Sequence, residues 1–433
     1  MKNTQFRSKR LGIALPLALL AIVLLLITGS TLLSMGLSSR VFSLRSSSDI
    51  AARCAADAGL TKALYEMNQK LKVKPWNDSS LPQALNASLD DCDATYSYIV
   101  TGDLEGGYVI TSIGECGNAT RVVQATLGFK GIFDHAILTK DTLILKSDTI
   151  IDGYNSKDLL DTEFDVSIGS QSTDDSSVIL NNNTTVEGDV LVGIGGNPDT
   201  AIKDLGATVT GDERAATMKE SLPQIAPPAL TNKGTSITAK GETVTITPSD
   251  NGVYTEIDIQ KGVKTVPGVG KVDVPTALEI DGGDVVLHVT GDIELDQACN
   301  ITVKDGSTLT IYVDGDILCR EGSGINTEAP PEEAATLKLF ASGEELQLFD
   351  VKANSEWTGV IYAPNSNVLL YANGDAYGSI VAGTFEFKAG GNYHYDEALR
   401  QVTQEDEGVT FTVTRWSENN DTVSASQIKE QIQ

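Results

Sequence analysis

The sequence predicts a mainly β protein carried on a long N-terminal transmembrane helix, with a small α+β head and then a β-solenoid. Three observations predict it. Residues 11–37 hold no charged side chain, and residues 94–129 alternate apolar and polar side chains between Gly, Asp and Asn turns. Beyond residue 129, short apolar runs recur at offsets of about 20 to 25 residues, the spacing of stacked repeats.

The helix comes first. Helical rise is ~1.5 Å per residue and a hydrocarbon core is ~30 Å thick, so about 20 apolar residues span it. The stretch LGIALPLALLAIVLLLITGSTLLSMGL, residues 11–37, is long enough. A cleaved secretory signal is the other reading, with Gly29 and Ser30 as small residues near its end. Such a signal has an apolar core of only about 7–15 residues, and the unbroken run at 11–27 exceeds that. A retained anchor is therefore expected, with Ile13, Leu17, Leu20, Leu24 and Ile27 on its membrane or assembly surface and Pro16 a site for a kink. Lys2, Arg7, Lys9 and Arg10 crowd one flank, whereas Arg40 and Arg45 are sparser on the other. Positive flanks stay inside, so residues 1–10 read as a cytoplasmic leader and the bulk of the chain as periplasmic or cell-surface.

With 433 residues the chain is long enough for two or three modules. A net charge of −27 and a pI near 4.4 exclude nucleic acid as a natural partner, because polyanion binding needs clustered Lys and Arg. The five cysteines include no CxxC pair and have no His at ligand spacing, which argues against zinc. In an exported chain Cys92 and Cys116 are a candidate disulfide, contributing ~3 kcal/mol on the loop-entropy model. Cys299 and Cys319 are a weaker candidate pair, Cys54 is left over, and free thiols are the alternative throughout.

After Arg45 the segment SSSDIAARCAADAGLTKALYEMNQKLK places Ile50, Cys54, Ala58, Leu64, Met67 and Leu71 near helical spacing, with Ser48 or Asp49 as a cap and Pro75 beyond its end. The anchor is thus expected to continue outward as an amphipathic helix. Ala51, Ala52, Ala55, Ala56 and Ala58 suit close packing.

The basic leader, the Gly before an unbroken apolar helix, and the extension AARCAADAGLTKALYEM resemble the N-terminus of PilX-type accessory proteins of type IV pili. The resemblance covers residues 7–68. It implies a helix that packs with other pilin-like subunits in the bacterial cytoplasmic membrane, a small β-rich head, and Gly12 as the candidate processing site. The fifth position after Gly12 is Leu17, where the prepilin pattern has Glu.

Residues 38–130 make up this helix extension and head, with TYSYIVTG, GYVITSIGE and NATRVVQATLGF as strands of an antiparallel sheet. Residues 131–215 read as an upstream solenoid segment, 216–250 as a Pro-rich connector around Pro223, Pro227 and Pro228, and 251–400 as the main solenoid. Residues 401–433 add one strand, VTFTVTRW, and a polar tail. Gly188, Gly291 and Gly315 each precede Asp and an aliphatic residue. Leu287 matches Ile311, Val289 matches Val313 and Ile293 matches Ile317 at one offset; Gly359-Val-Ile-Tyr-Ala matches Gly378-Ser-Ile-Val-Ala, with Asn373 against Asn392, at another. Leu309, Ile311 and Val313 are expected inward, and Thr308, Thr310 and Tyr312 outward. A β-sandwich is the competing topology. The patterns GVIYAPN, YGSIV and HYDEAL within residues 357–399 resemble a domain of unknown function found behind PilX-type N-termini. That resemblance implies a β-helix and no activity.

No catalytic residue is expected. Asp281, Asp284, Asp292, Asp314 and Asp316 lie in Gly-rich turns, which either coordinate Ca²⁺ or simply make tight turns. His135, His288 and His394 are the only histidines and read as surface or packing residues. Asp396 and Glu397 are adjacent and so point apart in a strand, a poor acid–base pair. Lys304, Arg320, Lys338, Lys352 and Lys388 form no lyase-like constellation. The expected function is a non-enzymatic, cofactor-free component or assembly factor of a pilus. The alternative is a membrane-anchored adhesin whose outward Tyr312, Tyr371 and Tyr377 stack on a surface glycan.

Overall fold

The computed structural model describes residues 14–158, 160, 164–328, 333–353, 356–372, 374–388, 390–419 and 429–430. The leader, Gly12, Ile13 and Asn373 lie outside them. The chain divides into two compact units, Met1–Gly128 with Phe411–Gln433, and Phe129–Thr410.

The first unit is built on helix α1, Ala14–Leu71. It runs for 58 residues, ~87 Å at the helical rise. Pro16 lies within α1, and the helix continues beyond it without a break. Lys70 in the last turn complements the dipole there. Strands β1 (Gln83–Ser88), β2 (Thr95–Asp103), β3 (Gly107–Cys116) and β4 (Ala119–Lys130) follow as an antiparallel meander. The C-terminal strand Thr410–Asn419 completes the five-stranded sheet beside β4. The larger unit is therefore inserted in the chain between β4 and its sheet neighbour.

β2 and β3 cover the outer third of α1. The buried stripe runs through Ala52, Ala55, Ala56, Gly59, Leu60, Ala63, Met67 and Leu71. This corrects the expected stripe: Ile50 and Cys54 are exposed, and only Met67 and Leu71 coincide. The reason is backbone contact. A Cβ on Gly114 of β3 would overlap the Ala52 carbonyl and the Ala56 nitrogen, and one on Gly59 would overlap Ser112. Only small residues admit so close an approach, so the alanines serve helix-on-sheet packing within this chain.

In the second unit, 22 strands join in one sheet and four in another. A first series pairs in parallel from Gly252–Tyr254 through Asp284–Val289, Thr308–Val313, Leu337–Ala341, Trp357–Ala372 and Ala376–Phe387. It then continues into Ile137–Thr139, Ser167–Ser170, Asp189–Val192 and Glu213–Ala215. A second series runs alongside from Ile237–Lys240 to Ile202–Asp204. The smaller sheet pairs Thr243–Ile246, Thr276–Ile280, Cys299–Val303 and Gly324–Thr327, also in parallel.

Both repeats read from the sequence are neighbouring strands in register: Leu287 faces Ile311 and Ile293 faces Ile317, while Gly359 faces Gly378 and Ile361 faces Ile380. The division into an upstream and a main segment is corrected. Ile380 pairs with Ile137 and Asn392 with Ile150, so the first strands of this unit stack directly on its last. The ladder also begins at Ile237, inside the expected connector.

Leu309, Ile311 and Val313 are fully buried in the main core as expected. Tyr312 is not outward to solvent. It is 1% exposed and joins Phe340, Tyr362, Val360, Val381 and Leu138 in a second cluster, covered by Ile225, Ile132 and Phe133. The Pro-rich segment supplies part of this cover, through Leu222 and Ile225. Pro223 O accepts from Tyr362 OH at 2.7 Å, and the Gln224 amide donates to Ser342 O and Gly343 O, both at 3.0 Å, while accepting from Asn365 at 3.1 Å. A segment that reads as a linker by composition is a strap across the ladder.

Candidate functional site

The first candidate is the helix surface. Leu17, Leu20, Leu24 and Ile27 are all more than half exposed, and α1 is long and apolar enough to cross a membrane by length and composition. Three of its hydroxyls bond back to the helix itself: Thr28 donates to Leu24 O at 2.9 Å, Ser30 to Ile27 O at 2.9 Å and Thr31 to Ile27 O at 2.8 Å. Back-bonding of this kind makes polar side chains tolerable in hydrocarbon.

Further along α1, four charges meet. Arg121 of β4 binds Asp49 and lies 3.9 Å from Glu418 of the C-terminal strand, which in turn lies 3.5 Å from Arg53. The Arg121 hydrogen bond holds the Asp49 carboxyl below its ordinary range. Arg121 and Glu418 carry no motif, and sequence reasoning missed them because they meet only when strands far apart in the chain share a sheet.

The histidines are each engaged. His135 Nδ1 is 2.7 Å from Ser167 Oγ and its Nε2 is 3.9 Å from Glu220. His135, and Lys130 at 2.7 Å, hold the Glu220 carboxyl down to about 2 against the cost of burial. His288 Nε2 lies 2.9 Å from Asp314, which also accepts from Ser342 at 2.7 Å. His394 Nδ1 binds Asp152, its Nε2 lies 3.8 Å from Asp375, and its ring stacks on Tyr377 at 4.6 Å. Burial alone would lower the His394 pKa, yet the two carboxylates carry it up.

The Gly–Asp motifs have a structural role. Asp189 accepts from Asp212 N at 2.9 Å, Asp292 from Asp316 N at 2.8 Å, and Asp316 from Leu348 N at 2.8 Å. Each carboxylate satisfies a backbone donor at or just before the start of a neighbouring strand, and Gly315 stacks on Gly291 where a Cβ would collide. Among the described residues no three His, Cys, Asp or Glu side chains converge as metal ligands. Asp396 accepts from Ala398 N and Ser156 N, both at 3.0 Å, and Glu397 pairs with Arg400 at 2.9 Å. Lys304, Arg320, Lys352 and Lys388 pair with carboxylates along the ladder.

The expected Cys92–Cys116 bridge is not formed. Both are free: Cys92 is exposed in the tight turn closed by Leu89 N to Ala94 O at 3.0 Å, and Cys116 ends β3. Cys299 and Cys319 are buried, unbridged thiols in different sheets. Of the tyrosines expected to display a ring, Tyr312 is buried and Tyr377 is stacked on His394, while Lys352 sits 4.7 Å over Tyr371.

A cleft of about 370 Å³ opens beside the strap, with Leu138, Leu191, Ile194 and Met218 as its apolar wall and His135, Gln171, Arg214, Lys219 and Glu220 among its polar groups. Arg214 is held by Asp189 at 2.9 Å, and Gln171 donates to Glu220 O at 3.0 Å.

A family model described as a domain of unknown function (DUF7305) matches residues 209–402. Among solved structures the chain is similar to the competence-associated pilin ComZ from Thermus thermophilus, at 12% identity over 86% of this chain and 97% of that one. The TM-score is 0.23, an overlap too loose to define a common fold. No curated protein matches the chain.

Proposed function

We propose that the chain is a non-enzymatic envelope protein, a PilX-like component or assembly factor of a type IV pilus or related filament. In this reading it is anchored by α1 with its N-terminus in the cytoplasm, and its parallel ladder winds as a β-solenoid displayed outside.

One observation carries the reading: α1 remains uncovered for longer than a bilayer requires. Over residues 15–47 the exposed helix spans ~50 Å against a ~30 Å hydrocarbon core, and its sheet first reaches it at Asp49, bound by Arg121, and buries it from Ala52. Val41, Phe42 and Leu44 stand in the surplus, with Phe42 76% exposed. Side chains of this kind beyond the hydrocarbon call for neighbouring helices. The winding is supported by the in-register parallel pairing, and no enzyme chemistry is part of the reading. No cofactor enters the reading.

Immunogold labelling of sheared filaments, and crosslinking from a Phe42→Cys variant, test it. Labelled filaments and a crosslink to a pilin-like helix are expected. Absence from every filament preparation and from assembly complexes would overturn it.

A further inference from the structure

We propose that the cleft beside the strap binds a small amphiphilic carboxylate, with its acid group between Lys140 and Lys219 and its aliphatic part against Leu138, Leu191, Ile194 and Met218. The cleft that holds the apolar wall adjoins a second cleft of about 430 Å³, lined by Lys140, with which it shares Gln171, Lys219 and Glu220. Its volume is that of a small-molecule site.

The electrostatics favour an anion. The chain as a whole is strongly acidic, yet the cations of these clefts divide into satisfied and unsatisfied ones. Arg214 is neutralised by Asp189 at 2.9 Å, and the lining Glu220 is itself paired with Lys130 at 2.7 Å. Lys140 donates to the uncharged Asn365, and neither it nor Lys219 forms an ion pair among the described residues. Burial, and the like charge of Lys219, push the Lys140 pKa down while neighbouring Asp141 opposes them, so an added anion would relieve a real cost. Glu220 remains ionised beside them, which disfavours a multiply charged ligand.

The apolar wall selects the rest of the ligand. It is aliphatic, with no Phe, Tyr or Trp among the lining residues and the one imidazole, His135, held by Ser167 and Glu220, so it lacks the broad stacking platform a sugar would use. Met218 is exposed and adaptable, suited to an unbranched chain.

The test is titration of the full chain in lipid nanodiscs with octanoate, octanamide and acetate, read by calorimetry and by saturation-transfer NMR against empty nanodiscs. Saturable octanoate binding is expected, weakened about tenfold with octanamide, about tenfold in the Lys140→Gln/Lys219→Gln double variant, and strongly with acetate. Both lysines reach solvent, so an unchanged melting temperature will show that the double variant folds. Equal binding of octanamide, undiminished octanoate binding by the folded double variant, or no saturable signal above empty nanodiscs at millimolar ligand would each overturn the proposal.

Discussion

Asn68, near the end of α1, and Phe411, in the C-terminal strand, exchange two hydrogen bonds: Asn68 Nδ2 donates to Phe411 O at 3.1 Å, and Phe411 N donates to Asn68 Oδ1 at 2.7 Å. A side-chain amide thus acts as a strand partner, and the Phe411 ring then packs 5.6 Å from Trp76 and 5.4 Å from Tyr108. The last strand of the chain closes the core of the first unit.

Replacing Asn68 with Ala leaves a half-buried N–H and C=O without this partner, and should destabilise the first unit by about 1–3 kcal/mol. Hydrogen exchange at the Phe411 amide should accelerate accordingly. Asn68→Asp keeps the acceptor but not the donor, and should fall between the two.

Gly114→Val should prevent the sheet from seating on α1, since a Cβ there overlaps helix backbone that cannot move aside. A loss of about 3 kcal/mol, seen as early proteolysis in β2 and β3, is expected. Gly106→Ala, where the nearest neighbour is only the tip of the Asp103 side chain, is the control and should cost well under half as much.

The contact of His394 with Asp152 and Asp375 should make the second unit pH-sensitive. The folded-state pKa of His394 is raised from its ordinary 6.5. Its stabilising effect is therefore complete below that value and lost as pH rises through the higher folded pKa. The melting temperature of the wild type should fall over that window, and His394→Gln should flatten the profile.

Asp292→Ala should destabilise by about 1 kcal/mol through loss of the bond to Asp316 N, and Asp292→Asn, which keeps an acceptor, should recover most of it. A chelator should leave the melting curve of the wild type unchanged. A chelator-sensitive transition restored by Ca²⁺ would instead place a cation in these turns.

Much of this architecture was legible in local pattern. The apolar run announces the membrane-competent helix, because spanning hydrocarbon is a matter of consecutive side chains. Alternation marked β2, β3 and β4, and equal offsets placed Leu287 against Ile311 and Gly359 against Gly378, because neighbouring strands in such a ladder repeat the same inward positions. The burial of Tyr312 was not legible, because its face of the strand is covered by the strap at Pro223–Ile225, whose Pro-rich composition reads as a linker.

What the sequence determined by itself is the kind and spacing of the elements: one long apolar helix, an alternating meander, and strands of matching length that suit stacking. Tertiary structure alone decided which ends meet. Ile137 pairs with Ile380, Asn68 with Phe411, and Arg121 reaches Glu418, all across hundreds of residues. The cleft beside the strap arises in the same way, from side chains of Leu138, Leu191 and Lys219 that no short window contains. The physical reason is that periodicity reports the environment of each side chain, inward or outward, while pairing depends on which complementary edge remains open once the whole chain has collapsed.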